Sequence, residues 1–127
     1  MAKKIMIKAG QIQAEAELND TRTAEAIWNA LPIEGQADLW GNEIYFAIPV
    51  KMELEDGQEV VQMGDLGYWP IGAAFCIFFG ETPMSRKGEI RPASAVTVFG
   101  RVTSDTAVFK EVKSGAKVII SKTDKAF

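Results

Sequence analysis

Two stretches, Ile44-Tyr45-Phe46-Ala47-Ile48 and Ala74-Phe75-Cys76-Ile77-Phe78-Phe79, contain no charged residue and show no alternation of polar with apolar side chains. A half-buried strand alternates because successive side chains point to opposite faces; a strand that stays apolar throughout needs dry surroundings on both. The chain must therefore fold a sheet around a core and also cover part of the outside of that sheet.

The rest of the pattern fits around these two strands. Residues 4–18 read as a hairpin, with Ile5 and Ile7 and then Ile12, Ala14, Ala16 and Leu18 on one face and Gln11, Gln13, Glu15 and Glu17 on the other. Ala24, Ile27, Trp28 and Leu31 then fall at helical spacing, with Asn19, Asp20 and Thr21 as candidate caps and Pro32 as the stop. A strand from Gln36 leads through Trp40 to Gly41-Asn42, a dipeptide suited to a tight hairpin turn. Asp56-Gly57 marks another turn, and residues 59–63 read as a short strand. Residues 82–92 are the longest polar interruption and read as a surface loop. A strand over 95–102 is broken at Gly100, where a bulge or a close backbone approach is expected. Val108, Phe109 and Val112 return to helical spacing ahead of Gly115, and 117–122 closes the chain as a strand. Many short strands and two short helices predict a mainly β fold over a single domain, 1–127. A closed barrel of about eight strands with the helices over its ends gives both apolar strands cover on each face.

At 127 residues with 47% apolar and 24% charged residues, the chain has the balance of a soluble domain that can bury a core unaided. The net charge of −3 is interspersed, with no basic cluster to neutralise phosphates, so nucleic acid is not an expected partner. The start, residues 1–8, has the positive residues of a signal peptide but no apolar run of seven or more behind them, and no run is long enough for a membrane span, so a cytoplasmic location is expected. The single Cys76 cannot form an internal disulfide; its apolar flanks predict burial and a raised thiol pKa.

Five of the twelve aromatic residues lie within 64–83, a stretch punctuated by glycine and proline at both ends. Gly64-Asp65-Leu66-Gly67 reads as a turn feeding a Tyr68-Trp69-Pro70 corner. A glycine- and proline-bounded turn is hard to bury without orphaning backbone groups, so Tyr68 and Trp69 are expected at a surface trough.

The residues resemble a known family. The order of elements is similar to that of the cyclophilins, and 10–31, with its acidic strand, the Leu18-Asn19-Asp20 turn and Thr23-Ala24-Glu25-Ala26 opening a helix, is similar to their amino-terminal pattern; 44–49 stands where they carry a Phe-His-Arg strand ending in Ile-Pro, and Gln62-Met63-Gly64-Asp65 is similar to their Gln-Gly-Gly-Asp. The stretch 64–83 more closely resembles a group of small prokaryotic cyclophilin-like proteins of uncharacterised function, with a Gly-Asp-x-Gly-Tyr-Trp-Pro turn before a Cys-Ile-Phe-Phe-Gly strand. The resemblance implies a cyclophilin-like barrel. It also implies peptidyl-prolyl isomerisation, which in cyclophilins relies on an arginine that hydrogen-bonds the proline nitrogen. Aligned on Pro49, that position is Phe46, or Ala47 one register on, and the chain has no histidine to match the one lining the family's pocket.

Three functional readings follow. The first is a binding module for a small molecule or a proline-containing peptide, its groove formed by Tyr45, Phe46, Asp65, Tyr68, Trp69, Pro70, Phe78 and Phe79, without strong isomerase activity. Adjacent Phe78 and Phe79 must point to opposite faces. The second is an isomerase with a relocated arginine, Arg101 first and Arg86 or Arg91 after it. The third is homo-oligomeric assembly through the aromatic patch. Glu43, Asp65 and Glu81 supply carboxylates for acid–base work, although Asp65 between glycines is most simply a turn residue. With no histidine and one cysteine, no metal and no cofactor is expected.

Overall fold

The computed structural model describes residues 3–123. Nine strands are present: β1 (Lys3–Ala9), β2 (Ile12–Leu18), β3 (Ile33–Gln36), β4 (Asp38–Leu39), β5 (Glu43–Ala47), β6 (Asp65–Trp69), β7 (Ala74–Phe78), β8 (Thr97–Val102) and β9 (Lys117–Lys122). One α-helix, α1 (Arg22–Ala30), and two 3₁₀ segments, Pro70–Gly72 and Thr106–Glu111, complete the regular structure. The strands form one antiparallel sheet in the order β3-β9-β1-β2-β8-β6-β7-β5-β4. Its two edge strands are consecutive pieces of chain separated only by buried Ala37. The segment 33–39 pairs with β9 through its first half and with β5 through its second, which brings the sheet round into a nearly closed barrel.

The barrel interior follows the expected alternation. Ile5, Ile7, Ala14, Ala16, Ile44, Phe46, Phe75, Ile77, Phe99, Val118 and Ile120 are buried in one cluster. Phe75 stacks on Phe46 at 5.1 Å between centroids and meets Phe99 edge-on at 5.0 Å, the two arrangements that aromatic quadrupoles favour. Helix α1 adds Ala24 and Ile27 to this core. Thr21 caps it by accepting from the Ala24 N–H, while the Glu55 carboxylate accepts from the Arg22 and Thr23 N–H groups, so three otherwise orphaned donors are satisfied.

Three local expectations are corrected. The turn expected over 64–67 ends at Gly64, where the Asp65 N–H bonds the Gln62 carbonyl at 3.0 Å, and Asp65–Trp69 is β6, a mid-sheet strand between β7 and β8. Gly67 is there for space, since a Cβ would lie 2.8 Å from Val96 Cγ2 and 3.0 Å from Phe78 Cε2. Residues 59–63 do not form a strand; that region touches the rest through single bridges, Gln58 to Val96 and Val61 to Ile90. The helix expected before Gly115 is a 3₁₀ segment, capped by the Asp105 side chain and burying Phe109. The irregularity at Gly100 is both a bulge and a close approach: the register against β6 shifts between Leu66 and Gly67, and a Cβ on Gly100 would collide with the Glu17 carbonyl oxygen of β2. Among the described residues no helix is long and apolar enough to cross a membrane.

Candidate functional site

A second, smaller core lies outside the barrel. Ala74, Cys76 and Phe78 project from the outer face of β7 and pack with Val61, Ile90 and Val96, flanked by Tyr45, Trp69 and Val98. The cover is irregular chain around Val61, Ile90 and Val96, tacked down by the two single bridges and by the Thr97 hydroxyl, which accepts from the Glu55 N–H. This is the dry outer face that two fully apolar strands require, but the cover stops short of its edge.

At that edge is a cleft of about 200 Å³ lined by Trp40, Glu43, Tyr45, Trp69, Pro92, Ala93 and Val96. Strand alternation explains its walls. Glu43 and Tyr45 share the outer face of β5 while Ile44 and Phe46 point into the barrel, and the two-residue turn at Gly41-Asn42 folds Trp40 back beside them, with the Trp40 and Glu43 backbones bonded both ways at 2.9 and 3.2 Å. Trp69, the last residue of β6, is fixed by its indole N–H donating to Ser94 Oγ at 2.7 Å. Trp40, Tyr45 and Trp69 are half-buried; Glu43, Pro92 and Val96 are buried.

Glu43 is the one buried acidic residue among those described, at 6% exposure. Burial pushes its carboxyl up to about 7, against the lowering effect of a hydrogen bond from the Cys76 thiol. The thiol, which also has the Ala74 carbonyl at 3.9 Å, is pushed well above its ordinary value by burial and then by the Glu43 charge. Cys76 is thus a buried neutral thiol and not a nucleophile. The Glu43 carboxyl, changing charge near neutrality inside an apolar cleft, is the chemically adaptable group here.

The structure divides the eight groove residues expected from sequence. Tyr45 and Trp69 line the cleft, and Pro70 opens the 3₁₀ turn behind Trp69. Phe46 and Tyr68 are sealed inside the barrel at 2% and 1% exposure and cannot wall a groove. The Tyr68 hydroxyl is spent on backbone, donating to the Val50 carbonyl at 2.6 Å and accepting from the Met52 N–H at 3.2 Å. Phe78 and Phe79 do point to opposite faces, but both are buried, Phe78 in the outer core and Phe79 beside Phe109 in the inner one. Asp65 lies away from the cleft, where its carboxylate accepts from the Gln62 N–H at 2.8 Å, the local turn role. Partial burial raises its pKa, opposed by that hydrogen bond and by Arg101.

None of the relocated arginines reaches the cleft. Arg101 is exposed opposite Asp65 and borders a separate depression with Glu17 and Asn19. Arg91 is paired with Glu89 at 2.7 Å, and Arg86 is exposed. Of the two positions for the isomerase arginine, Phe46 is inside the barrel and Ala47 is exposed on the outer face. Trp40, Pro92, Ala93 and Val96 were not foreseen. An aromatic residue directly before a Gly-Asn hairpin was a usable signal for Trp40; the other three arrive through a long loop that carries no periodicity. Among the described residues no group of three or more Asp, Glu, Cys or His side chains could hold a metal ion.

The sequence profile of the family described as cyclophilin-like matches residues 3–121. The solution structure of the hypothetical protein AF2241 from Archaeoglobus fulgidus is similar over 96% of this chain and 95% of its own, with 39% identity and a TM-score of 0.81. A structure of McbB in complex with tryptophan is similar over 97% of this chain but 46% of its own, with a TM-score of 0.74; at 17% identity that likeness is one of fold. No curated protein matches the chain.

Proposed function

The chain belongs to the cyclophilin-like family, and from that premise we propose that it is a binding module whose ligand, a small molecule or one side chain of a peptide, enters the cleft between Trp40, Tyr45 and Trp69, with little isomerase activity. The cleft itself carries this reading: three half-buried aromatic side chains converge on an apolar concavity that holds one buried ionisable group. Concave, mostly apolar sites with a few placed polar groups are where ligands are held. Its volume is below that of a drug-sized pocket, which favours a compact head group. Isomerase chemistry lacks its donor, since Phe46 faces inward and Ala47 offers a methyl group. Loss of a charged hydrogen bond of roughly 1.5–3 kcal/mol at the reacting nitrogen slows rotation by about 10- to 100-fold.

The test is a thermal-shift and tryptophan-fluorescence screen of small molecules and Ala-Pro peptides, run on the native chain and on Trp69→Ala and Tyr45→Phe. A ligand whose effect is lost in Trp69→Ala while the variant stays folded by circular dichroism supports the cleft. Ligands that bind both chains equally would place binding elsewhere, and turnover of an Ala-Pro peptide at the rate of ordinary cyclophilins would overturn the non-enzyme part.

A further inference from the structure

The cleft is lined by three aromatic side chains and an acidic one, and by nothing positive. Trp40, Tyr45 and Trp69 line it, Glu43 is buried beside them, and no lysine or arginine is among its lining residues. Among the described residues Glu43 makes no ion pair. Elsewhere the same chain supplies its own cations to an indole: Lys122 Nζ stands 4.6 Å and Lys3 Nζ 5.9 Å from the Trp28 ring centroid. At the cleft the rings and the carboxyl are in place, and the cation must come from outside.

The kind of cation follows from the lining. A primary ammonium carries three N–H donors and needs acceptors for each, whereas the side chains of this cleft offer the Glu43 carboxyl and the Tyr45 hydroxyl among aromatic and aliphatic surfaces. A methylated ammonium presents few or no N–H groups and an apolar skin that still carries charge, which suits aromatic faces. We propose that the cleft binds an organic cation with a methylated ammonium head, its methyl groups against Trp40, Tyr45 and Trp69 and its charge balanced by the Glu43 carboxylate. This rests on the ligand-binding reading above and names its ligand class. The head group can belong to a free choline-like ion or to a methylated lysine side chain of a peptide.

Charge balance adds a pH signature. The titratable groups facing Glu43 are the Cys76 thiol from β7 and Tyr45 from its own strand; Trp40, Trp69, Pro92, Ala93 and Val96 carry none. A carboxyl near 7 is largely protonated at pH 6 and ionised at pH 8, so cation affinity rises with pH by about tenfold across that interval.

Choline, a trimethyl-lysine peptide and the neutral choline isostere 3,3-dimethylbutan-1-ol are titrated into the full chain at pH 6 and pH 8, with affinity read from tryptophan fluorescence and from chemical-shift changes of the indole N–H signals. The expected result is that a cationic probe binds at least about tenfold more tightly than the neutral isostere at pH 8, that this preference shrinks at pH 6, and that in Glu43→Gln it is small at both pH values. Should that variant be unfolded by circular dichroism, the pH dependence and the isostere ratio of the native chain decide alone. Tighter binding of the peptide than of choline assigns the head group to a side chain; the reverse assigns it to a free ion. Equal or tighter binding of the neutral isostere overturns the cation and leaves the cleft standing as an apolar site. If no probe binds, the cation is overturned, and the broader screen decides separately whether the cleft binds anything.

Discussion

The two faces of the β5–β7 ladder share the same backbone hydrogen bonds and differ in what lies over them. Inside, Ile44, Phe46, Phe75 and Ile77 meet side chains from opposing strands, and all are at most 2% exposed. Outside, Glu43, Tyr45, Cys76 and Phe78 meet loops held by isolated bridges. Regular strands fill a barrel because each offers a side chain every second residue, whereas irregular chain covers what it happens to reach. The difference teaches where a closed barrel can keep a site: on the strand face whose cover is incomplete, where a polar group can be half-sheltered and still meet a ligand.

Truncation should separate the faces most sharply. Phe75→Ala removes a fully buried ring from the stack between Phe46 and Phe99 and should cost about 3–5 kcal/mol in urea unfolding, while Trp69→Ala at the cleft should cost only about 1–2 kcal/mol. Equal losses would mean that the outer core is packed as tightly as the inner one.

Next comes the buried carboxyl. The Glu43 pKa stands above its ordinary 4.5, at about 7 in the fold, so the native state holds the proton more tightly than the unfolded chain. Its effect on stability is most favourable below pH 4.5 and declines through about 7, a penalty of about 3 kcal/mol when fully developed. Glu43→Gln has no charge to lose, and its stability relative to the native chain should therefore improve by up to that amount between pH 4 and pH 8. A difference that stays constant with pH would show that the carboxyl is well solvated.

An effect as small as that of Trp69→Ala is expected for a hydroxyl inside the barrel. Tyr68→Phe leaves the Val50 carbonyl and the Met52 N–H without their partner and should lower stability by about 1–2 kcal/mol at unchanged ligand affinity. Reduced affinity with intact stability would return Tyr68 to the binding face.

The split between Tyr68 and Trp69 also shows what could be read from residues alone. The barrel was legible because alternation in β1 and β2 reports which face is dry, while the unbroken apolar runs of β5 and β7 demand cover on both. The site was legible in part: Tyr45 and Trp69 carry an aromatic signal, but reading 64–69 as a turn suspended the strand rule that sends neighbours to opposite sides, and so kept Tyr68 with Trp69. Gly67 misled because its role is to make room for Val96 and Phe78, a demand set by residues distant in sequence. Glu43 stood level with Asp65 and Glu81 as a candidate carboxylate, since the burial that raises its pKa comes from packing against β7 and the loops.

The bulge in β8 governs the orientation of everything after it. Phe99 and Gly100 both sit on the concave side, so the usual two-residue rhythm skips a beat; Arg101 then falls toward solvent and Val102 toward the oily centre. Were the same residues to run as regular strand, without the bulge, the guanidinium would be driven among the phenylalanines and the valine would be left wet. The polarity of the strand thus hangs on the bulge that lets two neighbours share one side, and the crowding against Glu17 is why the second of them can carry no side chain.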